Sequence, residues 1–189
     1  MGGAIVRHPP RQSSGEGFRG NFNNIIHLQR VIVIYPNSPV MSYVRHYYHL
    51  VFTPKERKPL LRKEVKREVY NLIYRQILKL KGFVYRINGT EDHIHILVSI
   101  PSKIAVSEAV RIIKQEVSKN IVNMRLIPEW EKWQEGYSSF TCSYRELDMI
   151  KKYIMNQEEH HKKVSFIDEY RQWLKDNGIS EDEPYFPKK

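Results

Sequence analysis

One cysteine, Cys142, stands in 189 residues, so no intrachain disulfide can form, and no CxxC pair exists for a zinc ribbon or a thioredoxin-type redox centre. Such sparing thiol use fits a reducing compartment, hence the cytoplasm. Long apolar runs are missing too. The stretch from Ile25 to Tyr35 is interrupted by His27, Gln29 and Arg30, and nothing approaches the ~20 residues that cross a bilayer, so no membrane partner is expected. Glycine is scarce once past residue 40: the first 40 residues hold five of the nine, together with Pro9-Pro10, a polar tract at 12–17 and a single acid, Glu16. That opening segment has too little apolar surface to offset its ordering entropy, apart from a candidate short strand at Val31–Tyr35. It reads as an N-terminal arm, residues 1–40, before a domain over residues 41–189, with Met41 as an alternative start.

Acids are outnumbered, 21 against 31 Lys and Arg, and the net charge of +10 favours a polyanionic partner. Much of the excess is local: ten basic residues and three acids lie between Thr53 and Lys81. A solvated helix face would account for such a run. Tyr70 and Tyr74 among the cations tilt the reading towards single-stranded nucleic acid, because unpaired bases stack on aromatic rings. Lys55, Arg57, Lys58, Arg62 and Lys66 are the candidate DNA contacts.

The run from Tyr43 to Thr53, rich in β-branched and aromatic residues and closed by Pro54, predicts a strand. Val65, Val69, Leu72, Ile73, Ile77 and Leu80 recur at steps of three and four and predict a helix that ends near Gly82. Phe83 to Asn88 and His93 to Ile100 read as a hairpin turned by Asn88-Gly89. Val106, Val110, Ile113, Val117 and Ile121 mark a second helix, and Trp130 and Trp133 lie in the loop beyond it, as core or interface anchors. A strand over Gly136 to Thr141 follows, then a helix from a Ser143/Glu146 capping box to about Lys163, with Leu147, Ile150 and Ile154 as its core stripe. A short helix from Ser165 to Asn177 closes the series. The order strand, helix, hairpin, helix, strand, helix predicts an α+β layer with helices packed on one face of the sheet.

His93-Ile94-His95 lies in that second hairpin strand. Ile94, Ile96, Val98 and Ile100 make one apolar face, while the two imidazoles share the other, about 6.6 Å apart, on a face expected to be open. Two imidazoles so placed suit a metal. Chance alone supplies about 0.3 such pairs in a chain with eight histidines, so the surroundings must decide. In the last long helix Tyr153 and Gln157 are four apart and present a phenol and an amide oxygen together. Combined with the histidines, these parts suit a metal-assisted tyrosine nucleophile. A free phenol ionises only near pH 10, and a divalent ion on His93, His95 and Gln157 would supply the missing help by polarising a scissile phosphate. Magnesium or manganese fits, the nitrogens favouring manganese, with zinc also open. His46 and His49 point to opposite faces of their strand and read as structural or substrate-facing; His161, four residues after Gln157, is a reserve ligand.

His93-Ile94-His95 resembles the HUH motif, and Tyr153 with Gln157 resembles the nucleophile and third metal ligand of the single-tyrosine transposases, the IS-two-hundred/IS-six-oh-five insertion-sequence group and their REP-associated relatives. The run from Tyr48 to Pro59 is similar to that family's first strand and basic loop, and Gly136 to Phe140 and Gln157 to His161 are similar to later stretches. The resemblance covers about residues 41–186. It implies a ferredoxin-like or RRM-like antiparallel sheet with the HUH histidines on the face away from the helices, and a homodimer whose site can combine histidines of one subunit with the tyrosine of the other. It further implies cleavage of single-stranded DNA, at hairpin-forming element ends, through a 5′-phosphotyrosine and a free 3′-hydroxyl, then strand rejoining. Two rivals differ in chemistry: a domesticated, non-catalytic single-stranded nucleic-acid-binding module of the same fold, and a metal-dependent nuclease in which water attacks.

Overall fold

The computed structural model describes residues 44–182. The expected arm, its candidate strand at Val31–Tyr35 and the division at residue 40 lie outside the described residues. Four strands, β1 (Tyr48–Phe52), β2 (Phe83–Gly89), β3 (Ile94–Ser99) and β4 (Ser138–Thr141), form one sheet in the order β2-β3-β1-β4, with every neighbouring pair antiparallel. Two long helices, α1 (Lys63–Lys79) and α2 (Val106–Asn123), connect them in the sequence βαββαβ, the ferredoxin-like arrangement expected for this α+β chain. After β4 come α3 (Leu147–Met155), the single turn α4 (Gln157–His160) and α5 (Phe166–Asp176).

Alternation along the strands builds two faces. Leu50 and Phe52 of β1 and Ile94, Ile96 and Val98 of β3 join Val69, Ile73 and Ile77 of α1 and Val110, Ile113 and Val117 of α2 in the main core. Trp130 and Trp133 are buried there too, with Trp130 Nε1 donating to Ser118 Oγ over 3.1 Å, so both are core anchors. The opposite face carries His49 and His95 beside Leu97, and it is not open. Leu97 packs with Tyr47, Leu147 and Ile154 in a second cluster under α3, and His49, His93 and His95 are all 2% exposed or less. The open face read from the sequence is corrected: three C-terminal helices roof it.

Local departures have local causes. The first strand is shorter than the run from Tyr43 suggested, and β4 begins at Ser138. Asn88 and Gly89 are not the hairpin turn; they pair with His95 and Ile94 inside the ladder, and residues 90–93 make the turn, closed by Thr90 N–H to His93 O at 3.2 Å. Gly89 is needed there for space, because a Cβ at that position would stand 2.1 Å from the His93 carbonyl oxygen. At the end of α1 the left-handed residue is Lys81 (φ 60°), not Gly82, whose missing Cβ instead admits Ile77 and the Ser99 carbonyl. The last long helix breaks at Asn156 (φ −95°, ψ 13°), between Tyr153 and Gln157. The Ser143/Glu146 box is present, with the Glu146 carboxylate accepting from Ser143 N–H at 2.6 Å. Among the described residues no helix is long and apolar enough to cross a membrane.

Gly89→Ala forces a methyl group against the His93 carbonyl, so the expected cost is about 1–3 kcal/mol of unfolding free energy, measured by urea titration. A variant as stable as the parent would show that the turn can shift without loss.

Candidate metal and tyrosine centre

Each imidazole is held by its outer nitrogen. His93, the last residue of the hairpin turn, has Nδ1 at 2.8 Å from both Asp92 Oδ1 and Thr90 Oγ1. The Thr90 hydroxyl donates to the same carboxylate oxygen at 2.7 Å, so the Nδ1 proton belongs to Asp92 and Nε2 carries the lone pair. Arg57 donates to the other Asp92 oxygen at 2.6 Å. Burial alone would raise the Asp92 carboxyl, but hydrogen bonds from His93, Thr90 and Arg57 hold it well below the usual carboxylate range. His95 is oriented similarly, with Nδ1 at 3.0 Å from His49 Nε2.

Four groups from the roof meet these rings. Gln157 is fully buried; its Oε1 lies 3.3 Å from His93 Nε2 while its Nε2 donates to Glu169 Oε1 at 3.3 Å. Two lone-pair atoms, His93 Nε2 and Gln157 Oε1, therefore face each other, which calls for a cation or an extra proton between them. His161 Nε2 lies 3.0 Å from Glu169 Oε2 and His160 Nε2 2.8 Å from Glu169 Oε1. These are ion-pair separations without hydrogen-bond alignment: His95 Nε2, His161 Nε2 and Glu169 Oε2 are all buried with no hydrogen-bond partner. Ligand atoms of His93, His95, His161 and Glu169 lie within 4.8 Å of one another. A donor set of imidazole nitrogens and one carboxylate, with orphaned lone pairs turned inward, fits a divalent cation.

Tyr153 stands at the edge of this set. Its ring is 5.7 Å from that of His95 and 6.0 Å from that of His49, and it stacks on Trp173 at 5.4 Å. Its hydroxyl donates to Glu169 Oε1 in a short hydrogen bond. Burial pushes the phenol pKa up, and the bond to Glu169 and the carboxylate's charge push it further. For Glu169 itself burial acts upward, but the nearby His161 imidazole and the hydrogen bond from Tyr153 outweigh it and leave the carboxyl lowered.

The structure thus brings together Tyr153, His93, His95 and Gln157, and adds His161, the reserve ligand. Sequence reasoning missed Glu169, Asp92 and the partnership of His49 with His95. Glu169 had a signal: it falls on the stripe shared by Phe166, Tyr170 and Trp173, where an acid is out of place unless it has a task. The expected DNA contacts are ion-paired: Lys55 and Lys58 with Glu131, Arg62 with Glu129 and Lys66 with Glu158, while Arg57 pairs with Asp92 and so adjoins His93. Tyr70 is packed against the core, which burial marks by raising its phenol pKa, so it is not a free platform for a base.

Burial lowers His49 to about 3, against the pull of Glu169, and lowers His95 through burial and the neighbouring imidazoles. A histidine depressed by folding withholds a proton that the unfolded chain binds, so stability falls as pH drops below ~6.5. His161 shifts the other way: burial lowers it but Glu169 prevails, so its contribution is complete below the unfolded value and does not offset this loss. In chelator, unfolding free energy should fall by about 1.4 kcal/mol per pH unit for each of the two depressed histidines as pH drops from ~6.5 towards ~4.5. Urea titrations across that range check it, and a flat profile would mean that the rings are not buried as described.

The family model described as "Transposase IS200 like" matches residues 42–157. No curated protein matches the chain. Among solved structures, a candidate transposase from Deinococcus radiodurans R1 is similar at 21% identity, with 64% of this chain and 97% of that one covered and a TM-score of 0.50. A REP-associated tyrosine transposase bound to a REP hairpin is similar at 15% identity, covering 67% of this chain and 75% of that one, with a TM-score of 0.48. With the family model matching more than half of its length, the chain belongs to the IS200-like transposase family.

Proposed function

We propose that the domain over residues 41–189 cleaves and rejoins single-stranded DNA by transesterification, with Tyr153 as nucleophile and a divalent metal, magnesium or manganese, held at the histidine cluster. The observation that carries the reading is the Tyr153 hydroxyl, bonded to Glu169 beside imidazoles whose inward nitrogens lack partners. His93, His95 and Gln157 would hold the ion, with His161 and Glu169 able to complete its shell. When bound, it would supply charge for the scissile phosphate and its transition state.

The rest falls to the chain's own groups. Tyr153 Oη attacks phosphorus, the bond from phosphorus to the 3′-oxygen breaks, and a 5′-phosphotyrosine and a free 3′-hydroxyl result. The phenol has a proton to lose, and Glu169 Oε1 already accepts its hydrogen bond. Trp173 fixes the ring by stacking, Asp92 holds His93 in one tautomer, and His49 orients His95. Rejoining is the reverse attack by a 3′-hydroxyl, and it needs no external energy because the covalent link retains that of the phosphodiester. A homodimer is the assembly that the family resemblance implies. The contacts of Tyr153 with His95 and His49 of its own chain support a site complete within one subunit.

Single-stranded DNA labelled at its 3′ end, incubated with the protein and manganese and then denatured, is expected to leave the downstream fragment joined to the protein through its 5′ phosphate, and Tyr153→Phe to leave no adduct while binding as the parent does. Cleavage without a covalent species would favour the water-dependent nuclease, and binding without cleavage the domesticated module. Mixing Tyr153→Phe with His93→Ala protein should restore nothing if the site is built in one chain; regained cleavage would place it between subunits.

Asp92→Asn keeps the shape of the residue and removes the charge that fixes His93. Manganese affinity by calorimetry should fall about 10–100-fold. Unchanged affinity would put the ion elsewhere.

A further inference from the structure

A pocket of about 510 Å³ opens beside the cluster, between the end of β1 with its following turn, the segment 134–138 and α5. That volume lies within the ~300–1,000 Å³ of small-ligand sites. One wall is aromatic: Phe166, 8% exposed, is covered by Tyr170, whose ring stacks on it at 5.5 Å and 9°, so Tyr170 supplies the aromatic surface of the pocket. Phe166 also lies against the His93 ring at 4.3 Å, so the wall runs directly into the cluster. Over Phe166 sits the Arg57 guanidinium, 4.5 Å from the ring centroid, with its Nε buried and without a hydrogen-bond partner.

The rim is strained where it meets this wall. Glu56 and Arg57 both adopt left-handed backbone, φ 56° and 54°, without being glycine. Such residues cost free energy and persist where the surroundings hold them. Here Gln134 Oε1 accepts from Glu56 N–H at 2.8 Å and Asp92 holds Arg57. Polar groups stand at the edges: the Gln134 amide, and the Ser138 and Tyr170 hydroxyls paired at 2.5 Å. A planar ligand with apolar faces and a hydrogen-bonding edge matches this lining, with the Tyr170 ring as its stacking surface, since Arg57 already covers Phe166.

We propose that this pocket is a subsite for one unpaired nucleobase of the DNA strand whose phosphate lies at the histidine cluster. The inference rests on the single-stranded DNA reading above, but its test involves neither metal nor cleavage. Phe166 and Arg57 each touch both places, so the base taken up is adjacent to the phosphate at the cluster.

The test uses the full chain in chelator and fluorescence anisotropy with two probes, an oligothymidylate of about 16 nucleotides and an abasic strand of equal length. The parent should bind the thymidylate about tenfold more tightly, the order expected for one stacked base. Tyr170→Ala should abolish that preference and leave abasic binding unchanged. Ile167→Trp, which fills the pocket and spares the wall, should do the same and guards against a Tyr170→Ala protein that fails to fold. Equal affinity of the parent for the two strands, a preference that survives Ile167→Trp, or a Tyr170→Ala loss shared equally by both probes would overturn the proposal. A parent that prefers bases but does not cleave would retain the subsite and refute the chemistry, whereas a cleaving parent indifferent to bases would do the opposite.

Discussion

Burying imidazoles against a sheet costs free energy unless each ring nitrogen has a partner, and much of the C-terminal architecture follows from that constraint. His93 and His95 settle their outer nitrogens locally, on Asp92 with Thr90 and on His49. Their inner nitrogens are not met by the sheet: directly opposite His95 stand Val51 and Asn88, and the Asn88 amide is taken by the carbonyls of Ile154 and Met155. The roof brings Gln157, His161 and Glu169 to them, with Gln157 Oε1 against His93 Nε2 and His95 Nε2 left without a hydrogen-bond partner. The one charge carried inward, Glu169, is tolerable because Tyr153 and Gln157 donate to it and two imidazoles stand at ion-pair distance.

The break at Asn156 serves the same end. The Asn88 side-chain amide donates to the carbonyls of Ile154 and Met155 at 2.9 and 3.1 Å. A continuous helix would offer those carbonyls to the N–H groups of residues 158 and 159. Capping them from β2 lets the chain turn, so that Tyr153 keeps its stack on Trp173 while Gln157 swings to His93. The spacing of four between phenol and amide therefore reflects a broken helix and not a shared face of a regular one.

This explains what could be read in the sequence and what could not. Periodicity located α1, α2 and the strands, because the alternation of Ile94, Ile96 and Val98 and the three-four spacing of α1 depend on a residue's own element. His93, His95, Tyr153 and Gln157 were legible as a set because the chemistry of a tyrosine and a metal requires those types. The turn at 90–93, the break at Asn156 and the roof over the histidines depend on contacts between distant segments: Gly89 against His93, Asn88 against Ile154, Glu169 against Tyr153. No local pattern encodes these. The apparent Asn-Gly turn misled because its glycine was required for a close approach and not for a left-handed backbone.

Electrostatics separates the basic residues into two kinds. Lys55, Lys58 and Arg62 pair with Glu131 and Glu129 on the solvent-exposed side, where water and salt screen the attraction and a phosphate can replace a carboxylate at little cost. Net charge then acts as a field that gathers a polyanion without fixing its path. Arg57 is different. It is half-buried, it spans Asp92 and the Phe166 ring, and through Asp92 it bears on the tautomer of His93. A guanidinium placed this way couples the surface that would meet a strand to the cluster beneath it, because any shift of Arg57 changes the hydrogen bonding of the carboxylate that orients the ring. The strained backbone at residues 56 and 57 belongs to that link: relaxing it would withdraw the cation from both partners at once.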